Sequence, residues 1–167
     1  MNRAPLVSEQ AAEPNAFIEL PLPDLAATER LAAGLARITR AGDVLGLRGP
    51  LGVGKTTFAR AFIRALGGEE EVPSPTFTLL QTYALGSLTV CHFDLYRLDR
   101  PTDAYELGIE EAFVDAVSLI EWPERLGTLL PRDRLEMELE FGAEPNARVA
   151  RLSGHGSWAE RLRELHP

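Results

Sequence analysis

Eight residues constrain this chain more than any others. Gly49-Pro50-Leu51-Gly52-Val53-Gly54-Lys55-Thr56 fits G-x-x-x-x-G-K-[ST] at every fixed position. Glycines at these points let successive backbone N–H groups turn inward around a phosphate, and a helix starting at the loop's end adds its positive terminus. The flanking residues meet both requirements. Asp43–Gly49 (DVLGLRG) reads as a buried strand running into the loop, and Lys55–Gly68 (KTTFARAFIRALGG) reads as a helix closed by glycines. A glycine-rich turn before an ordinary helix would need neither the strand nor the Lys-Thr pair. The expectation is therefore a phosphate-binding loop over Gly49–Thr57, with Lys55 on the β- and γ-phosphates and the Thr56 hydroxyl on Mg²⁺.

Composition narrows the nucleotide. Lys55 is the only lysine among 17 basic residues, so the guanine-reading N-K-x-D cannot occur, and no D-x-x-G follows the loop. ATP is the default. The net charge of −8 gives no basic footprint for a phosphate backbone, which argues against tight binding to free nucleic acid but leaves docking to an RNA-holding complex open. No apolar run approaches the roughly 20 residues that span a bilayer. Cys91 is the single cysteine, so an internal disulfide and a cysteine-built metal site are both excluded, and the cytoplasm is the default address. Residues 1–16 lack the apolar core of a secretory signal and read as a flexible lead-in to one domain over 17–167.

An ATP site of this kind needs an acidic group at a strand end for the metal. Two candidates present themselves. Asp94 closes the apolar run in HFDLYRL, and Glu121 ends VSLIEW. An aspartate after a strand also serves as a turn residue, whereas the carboxyl end of a sheet is where ligands collect. Thr76 in SPTFT is a candidate γ-phosphate sensor, or simply a hydroxyl capping a proline-rich loop. Trp122 could stack on a base, face a partner or belong to the core. Arg97 is the one candidate arginine finger.

The remaining pattern is mixed. Phe17–Leu22 reads as an edge strand, and Asp24 as the N-cap of a helix closing near Gly42. Two strands, TLLQTYAL and SLTVCHFDL, flank a tight turn at Gly86–Ser87. Pro101–Phe113 reads as an acidic helix, Arg134–Phe141 as a half-buried strand paired with ARVARLSGHG, and SWAERLREL as a last helix. Leu152-Ser153-Gly154-His155-Gly156 resembles the ABC-ATPase signature only in outline and reads as a turn. The fold expected is α/β: a three-layer P-loop NTPase fold, with a mixed parallel and antiparallel sheet between flanking helices.

Two other functions compete. A small-molecule kinase of this size would carry an arginine-rich lid, for which Pro131–Arg134 (PRDR) is the only candidate. A scaffold that senses ATP without hydrolysing it is the third class.

The ordered series GPLGVGKTTFARAF, VPSPTFTLLQTY, HFDLYRL, ELGIEEAF, LIEWPERLG and LPRDRLEMELEF resembles the TsaE family of bacterial tRNA-modification ATPases. The resemblance runs over about residues 20–155. It implies an ATPase working with TsaB- and TsaD-type proteins, which attach threonylcarbamoyl to adenosine 37 of tRNA. ATP hydrolysis would permit repeated turnover without transferring the group, and tRNA would be reached only through the complex. It further implies that Thr56 and Glu121 hold Mg²⁺, that Asp94 supports the metal and the attacking water, and that Thr76 and Trp122 lie at the site and its partner-facing edge. Pro50 stands where the family often has an acidic residue, and an adenine pocket is implied around Leu22–Asp24.

Overall fold

The computed structural model describes residues 16–69 and 74–165; residues 1–15 of the expected lead-in over 1–16 and the start of the VPSPTFT loop lie outside them, and Ala16 opens the first strand instead. One seven-stranded sheet organises the chain. Its strands are β1 (Ala16–Leu22), β2 (Val44–Arg48), β3 (Leu80–Leu85), β4 (Leu88–Asp94), β5 (Val117–Glu121), β6 (Arg134–Phe141) and β7 (Arg148–His155), in the spatial order β1-β7-β6-β2-β5-β4-β3. The middle four, β6-β2-β5-β4, run parallel. Antiparallel pairs β7–β6, β1–β7 and β3–β4 extend the sheet to its two edges.

The sequence explains this division. The parallel strands β2 and β5 are near-continuous apolar runs and are buried on both faces. The edge strand β1 and the inner strand β6 alternate, as half-covered strands do. Helices α1 (Leu25–Ile38), α2 (Lys55–Ala65) and α4 (Trp158–Arg161) pack on one face over Leu31, Leu35, Phe58, Phe62, Leu119 and Trp158. The other face of β2, β5 and β4 is covered by α3 (Ile109–Asp115) and two 3₁₀ stretches, Pro101–Leu107 and Pro123–Leu129, around Phe93, Leu95, Ile109 and Ile120. The result is the expected α/β architecture, a mixed sheet with flanking helices.

Several boundaries differ from the sequence reading, each for a local reason. Helix α1 stops at Ile38 rather than near Gly42, because Thr39 is extended and its hydroxyl donates back to Leu35 O at 2.7 Å. Gly68 N–H reaches Ile63 O at 3.0 Å, which closes α2 at Ala65 and leaves the glycines outside it. The single helix expected over Pro101–Phe113 is two pieces, separated by Gly108 at φ 74°. The last helix is one α turn followed by a 3₁₀ turn at Leu162–Glu164. Leu152–His155 belongs to β7 and only Gly156 turns, so the reading of that run as a turn is corrected. Gly154 has to be glycine in the strand, since a Cβ there would meet Trp158 O at 2.7 Å.

Candidate functional site

The phosphate-type loop leaves β2 at Arg48 and enters α2 at Lys55, at the carboxyl end of the parallel strands. Gly49 sits at φ 141°, and a Cβ there would lie 2.6 Å from Leu139 O and 2.9 Å from Val53 Cγ1. Gly54, at φ 117°, delivers the chain into the helix. Arg148, the first residue of β7, braces the loop by donating Nε–H to Val53 O at 2.7 Å.

Lys55 is buried at this turn. Its ammonium donates to Gly49 O at 2.5 Å and Pro50 O at 3.0 Å, and it stands 4.2 Å from the centre of the Trp122 ring. Burial pulls the ammonium below its ordinary pKa of 10.5, and the nearby carboxylates of Glu121, Asp94 and Glu124 pull it partway back.

Strand register brings the acids in. Asp94 and Glu121 are the last residues of adjacent parallel strands and lie opposite each other. The Thr56 hydroxyl donates to Glu121, with Oε1 at 2.9 Å and Oε2 at 3.1 Å. Asp94 Oδ2 accepts the Thr76 hydroxyl at 3.0 Å, while its Oδ1 accepts the Tyr96 backbone N–H at 3.1 Å. Thr76 Oγ1 is in turn 2.7 Å from Ser74 Oγ. The loop bearing Thr76 closes through Leu79, whose N–H reaches Pro75 O at 2.7 Å and whose φ is 63°.

These side chains border one cavity of about 200 Å³, lined by Leu51, Gly52, Gly54, Lys55, Thr56, Thr57, Thr76, Asp94, Tyr96, Glu121 and Trp122. Trp122 is half-buried in a left-handed conformation at φ 59°, 5.0 Å from the Tyr96 ring, with its inner side against the α3 core. A second cavity, about 500 Å³, opens on the other side of the loop between Asp24, Leu25, Thr28, Gly52–Gly54, Thr57, Leu139, Asn146 and Arg148. Of the segment expected to face a base, Asp24 lines it, whereas Leu22 is in the core.

Two arginine candidates do not reach either cavity. The Arg97 guanidinium lies 4.9 Å over the ring of the exposed Phe77. The Pro131–Arg134 segment leads into β6 at Arg134, and β6 runs parallel to β2, so it lies at the opposite end of the sheet from the loop. Arg134 is tied there to Glu136 at 2.8 Å and cannot act as a lid over this site. Sequence reasoning missed His92, Tyr96, Asn146 and Arg148. His92 had a signal, since it precedes Asp94 by two positions on one strand and therefore shares its face.

Among the described residues, no group of three or more His, Cys, Asp or Glu side chains is arranged as a metal cage. The oxygens of Thr56 and Glu121 nonetheless suit Mg²⁺, which takes one or two protein ligands and completes its shell with phosphate and water. No described helix is long and apolar enough to cross a membrane.

Residues 22–149 match the family model described as "Threonylcarbamoyl adenosine biosynthesis protein TsaE". A Rickettsia felis protein of that name is 46% identical over 131 residues, covering 78% of this chain and 76% of its own length. The Bacillus subtilis protein of that name is 39% identical over 123 residues, covering 73% of this chain and 77% of its own. The crystal structure of Bacillus subtilis YdiB superposes with a TM-score of 0.76 at 31% identity, over 89% of this chain and 92% of that one.

Proposed function

This chain belongs to the TsaE family of tRNA threonylcarbamoyladenosine biosynthesis proteins, and on that premise we propose that it is a Mg²⁺·ATP hydrolase whose nucleotide state is read by partner proteins. The observation that carries the proposal is the bond from the Thr56 hydroxyl to Glu121, made at the first turn of α2 with Lys55 and Asp94 on the same cavity. In this reading Gly49–Thr57 cradles the phosphates, and Lys55 exchanges its two carbonyl partners for phosphate oxygens. Thr56 and Glu121 hold Mg²⁺, which when bound neutralises charge on the bridging and terminal oxygens. Asp94 orients the water that attacks the γ-phosphorus as the bond to the bridging oxygen breaks and ADP leaves. The second cavity accepts the nucleoside, with Asp24, Asn146 and Arg148 at its wall.

Thr76 supplies the output. Its hydroxyl is engaged by Asp94, so the Ser74–Thr78 loop would rearrange when Asp94 takes up its role beside the γ-phosphate. Loss of that phosphate would release it, an order–disorder switch common among nucleotide proteins. The partners are TsaB- and TsaD-type proteins, tRNA is met only through them, and the protein works in the cytoplasm as one domain. Arg97 is turned toward Phe77 and no arginine is among the described residues lining the phosphate-side cavity, so hydrolysis by the isolated chain is slow.

The test is phosphate release with and without both partners. Stimulation by the pair is expected, and an unchanged rate would sink the partner-dependent reading. Lys55→Ala is expected to abolish ATP binding in equilibrium titration; wild-type affinity in that variant would overturn the phosphate-loop assignment.

A further inference from the structure

The Glu121 carboxylate is held from two sides. From α2 comes Thr56, at the first turn of the helix. From β4 comes His92, whose Nε2 is 2.8 Å from Oε2. The contact follows from register: His92 pairs with Leu119, and Glu121 is two residues further along β5 on the same face. His92 is fully buried, and its Nδ1 has no hydrogen-bond partner among the described residues.

That imbalance is informative. A histidine kept for the fold would engage both ring nitrogens, because an unmet polar atom in the interior is destabilising. An apolar side chain would fill this position in the middle of the sheet at lower cost. Only the nitrogen aimed at Glu121 is used. A carboxylate oxygen only accepts, so the 2.8 Å contact takes its proton from Nε2, which donates to Oε2. Oε1 is then engaged by Thr56 alone.

We propose that His92 is a positioning residue for the metal-side carboxylate: its Nε2–H locks Oε2 and so holds Oε1 toward Thr56, at the place where Mg²⁺ would be shared between them. His92 itself touches neither metal nor nucleotide. The proposal rests on Thr56 and Glu121 forming the Mg²⁺ side of the site. Residues in this kind of outer shell change metal affinity or activity by roughly 10- to 100-fold when replaced.

The experiment compares the full chain with His92→Gln, His92→Asn, His92→Leu and Glu121→Gln. The glutamine amide nitrogen reaches about as far as Nε2 and keeps the donor, whereas asparagine is polar but too short. Binding of Mn²⁺ to the protein with a non-hydrolysable ATP analogue is followed by electron paramagnetic resonance. A second readout is analogue affinity in EDTA, and a third is the Mg²⁺ concentration at half-maximal phosphate release. His92→Asn and His92→Leu are expected to weaken Mn²⁺ binding about tenfold or more while metal-free analogue affinity stays at the wild-type value, and His92→Gln is expected to restore Mn²⁺ binding. If His92→Leu fails to fold, the asparagine–glutamine pair carries the comparison. Should Glu121→Gln weaken Mn²⁺ binding while His92→Asn leaves it within about twofold, positioning by His92 is refuted and the metal assignment stands. Should Glu121→Gln leave Mn²⁺ binding unchanged, the metal assignment fails and the proposal falls with it.

Discussion

Lys55 spends its ammonium on two backbone carbonyls and one aromatic face. A triphosphate would draw it away from both, because a multiply charged ligand outcompetes neutral acceptors for a partly desolvated cation. Trp122 would then lose the cation 4.2 Å from its ring. The only other tryptophan, Trp158, opens α4, is buried in the core and is paired with Arg161. Adding ATP is thus expected to change the intrinsic fluorescence, and Trp122→Phe to abolish the change; a full response in that variant would show that the cation stays on the ring. At this scale the sequence was legible where a residue sits inside a motif with a mechanism. Lys55 and Thr56 follow from the loop motif and Asp94 and Glu121 from the strand ends, and the fold gathers all four on one cavity. Asn146 and Arg148 owe their positions to a hairpin far along the chain, and His92, although it shares a strand face with Asp94, meets Glu121 only through pairing across the sheet. Arg97 was named for its charge, yet its aromatic neighbour Phe77 turns it aside.

Elements were legible as far as their local chemistry runs. Asp24 was read as an N-cap, and its Oδ1 does accept the Ala27 N–H at 2.9 Å. Asp24→Ala is expected to cost about 1 kcal/mol, which lowers the melting temperature by about 2–4 °C in a chain of this size; calorimetry without nucleotide measures it. Where a glycine or threonine offered a second way to close a helix, as at Thr39 and Gly108, periodicity ran past the true end. Strand β6 carries a pH signature. Burial alone would raise the Glu136 pKa, but the Arg134 hydrogen bond and the Arg48 charge outweigh it and hold the carboxyl below its ordinary 4.5. The folded chain therefore binds fewer protons at this group than the unfolded chain. Its contribution is intact above the ordinary value and is lost as pH falls through the folded one. Urea unfolding at about pH 7 and about pH 4 should show Glu136→Gln losing less stability than wild type over that drop. An equal loss would mean the charge cluster contributes nothing to the acid limb.

Across the whole molecule, one contact fastens the C-terminal helix to the start of the central strand. Arg161 donates Nη1–H to Asp43 Oδ1 at 2.8 Å, a second bond from Nη2 reaches Oδ2 at 2.5 Å, and the same nitrogen also donates to Ile38 O. The guanidinium is almost fully enclosed and stacks 4.0 Å from the Trp158 ring. Asp43→Ala leaves that charge in place with its carboxylate gone, and removing one partner of a buried pair typically costs about 3–5 kcal/mol. Chemical denaturation should register that loss; a change below about 1 kcal/mol would mean water reaches Arg161 and screens it. The overall topology was only partly legible. Strand types followed from alternation and apolar runs, but nothing local told β1 that its partner would be β7, more than a hundred positions later. That pairing sets a schedule for synthesis. As the chain is made, Ala16–Leu22 emerges early and stays without a neighbour until Arg148–His155 arrives, on the order of ten seconds later at ordinary elongation speeds. Throughout that interval an apolar strand is available to any unsatisfied edge, including the same segment on the next chain along the message. Its charged Glu19 and its penultimate Pro21 are the features that make such mispairing unfavourable.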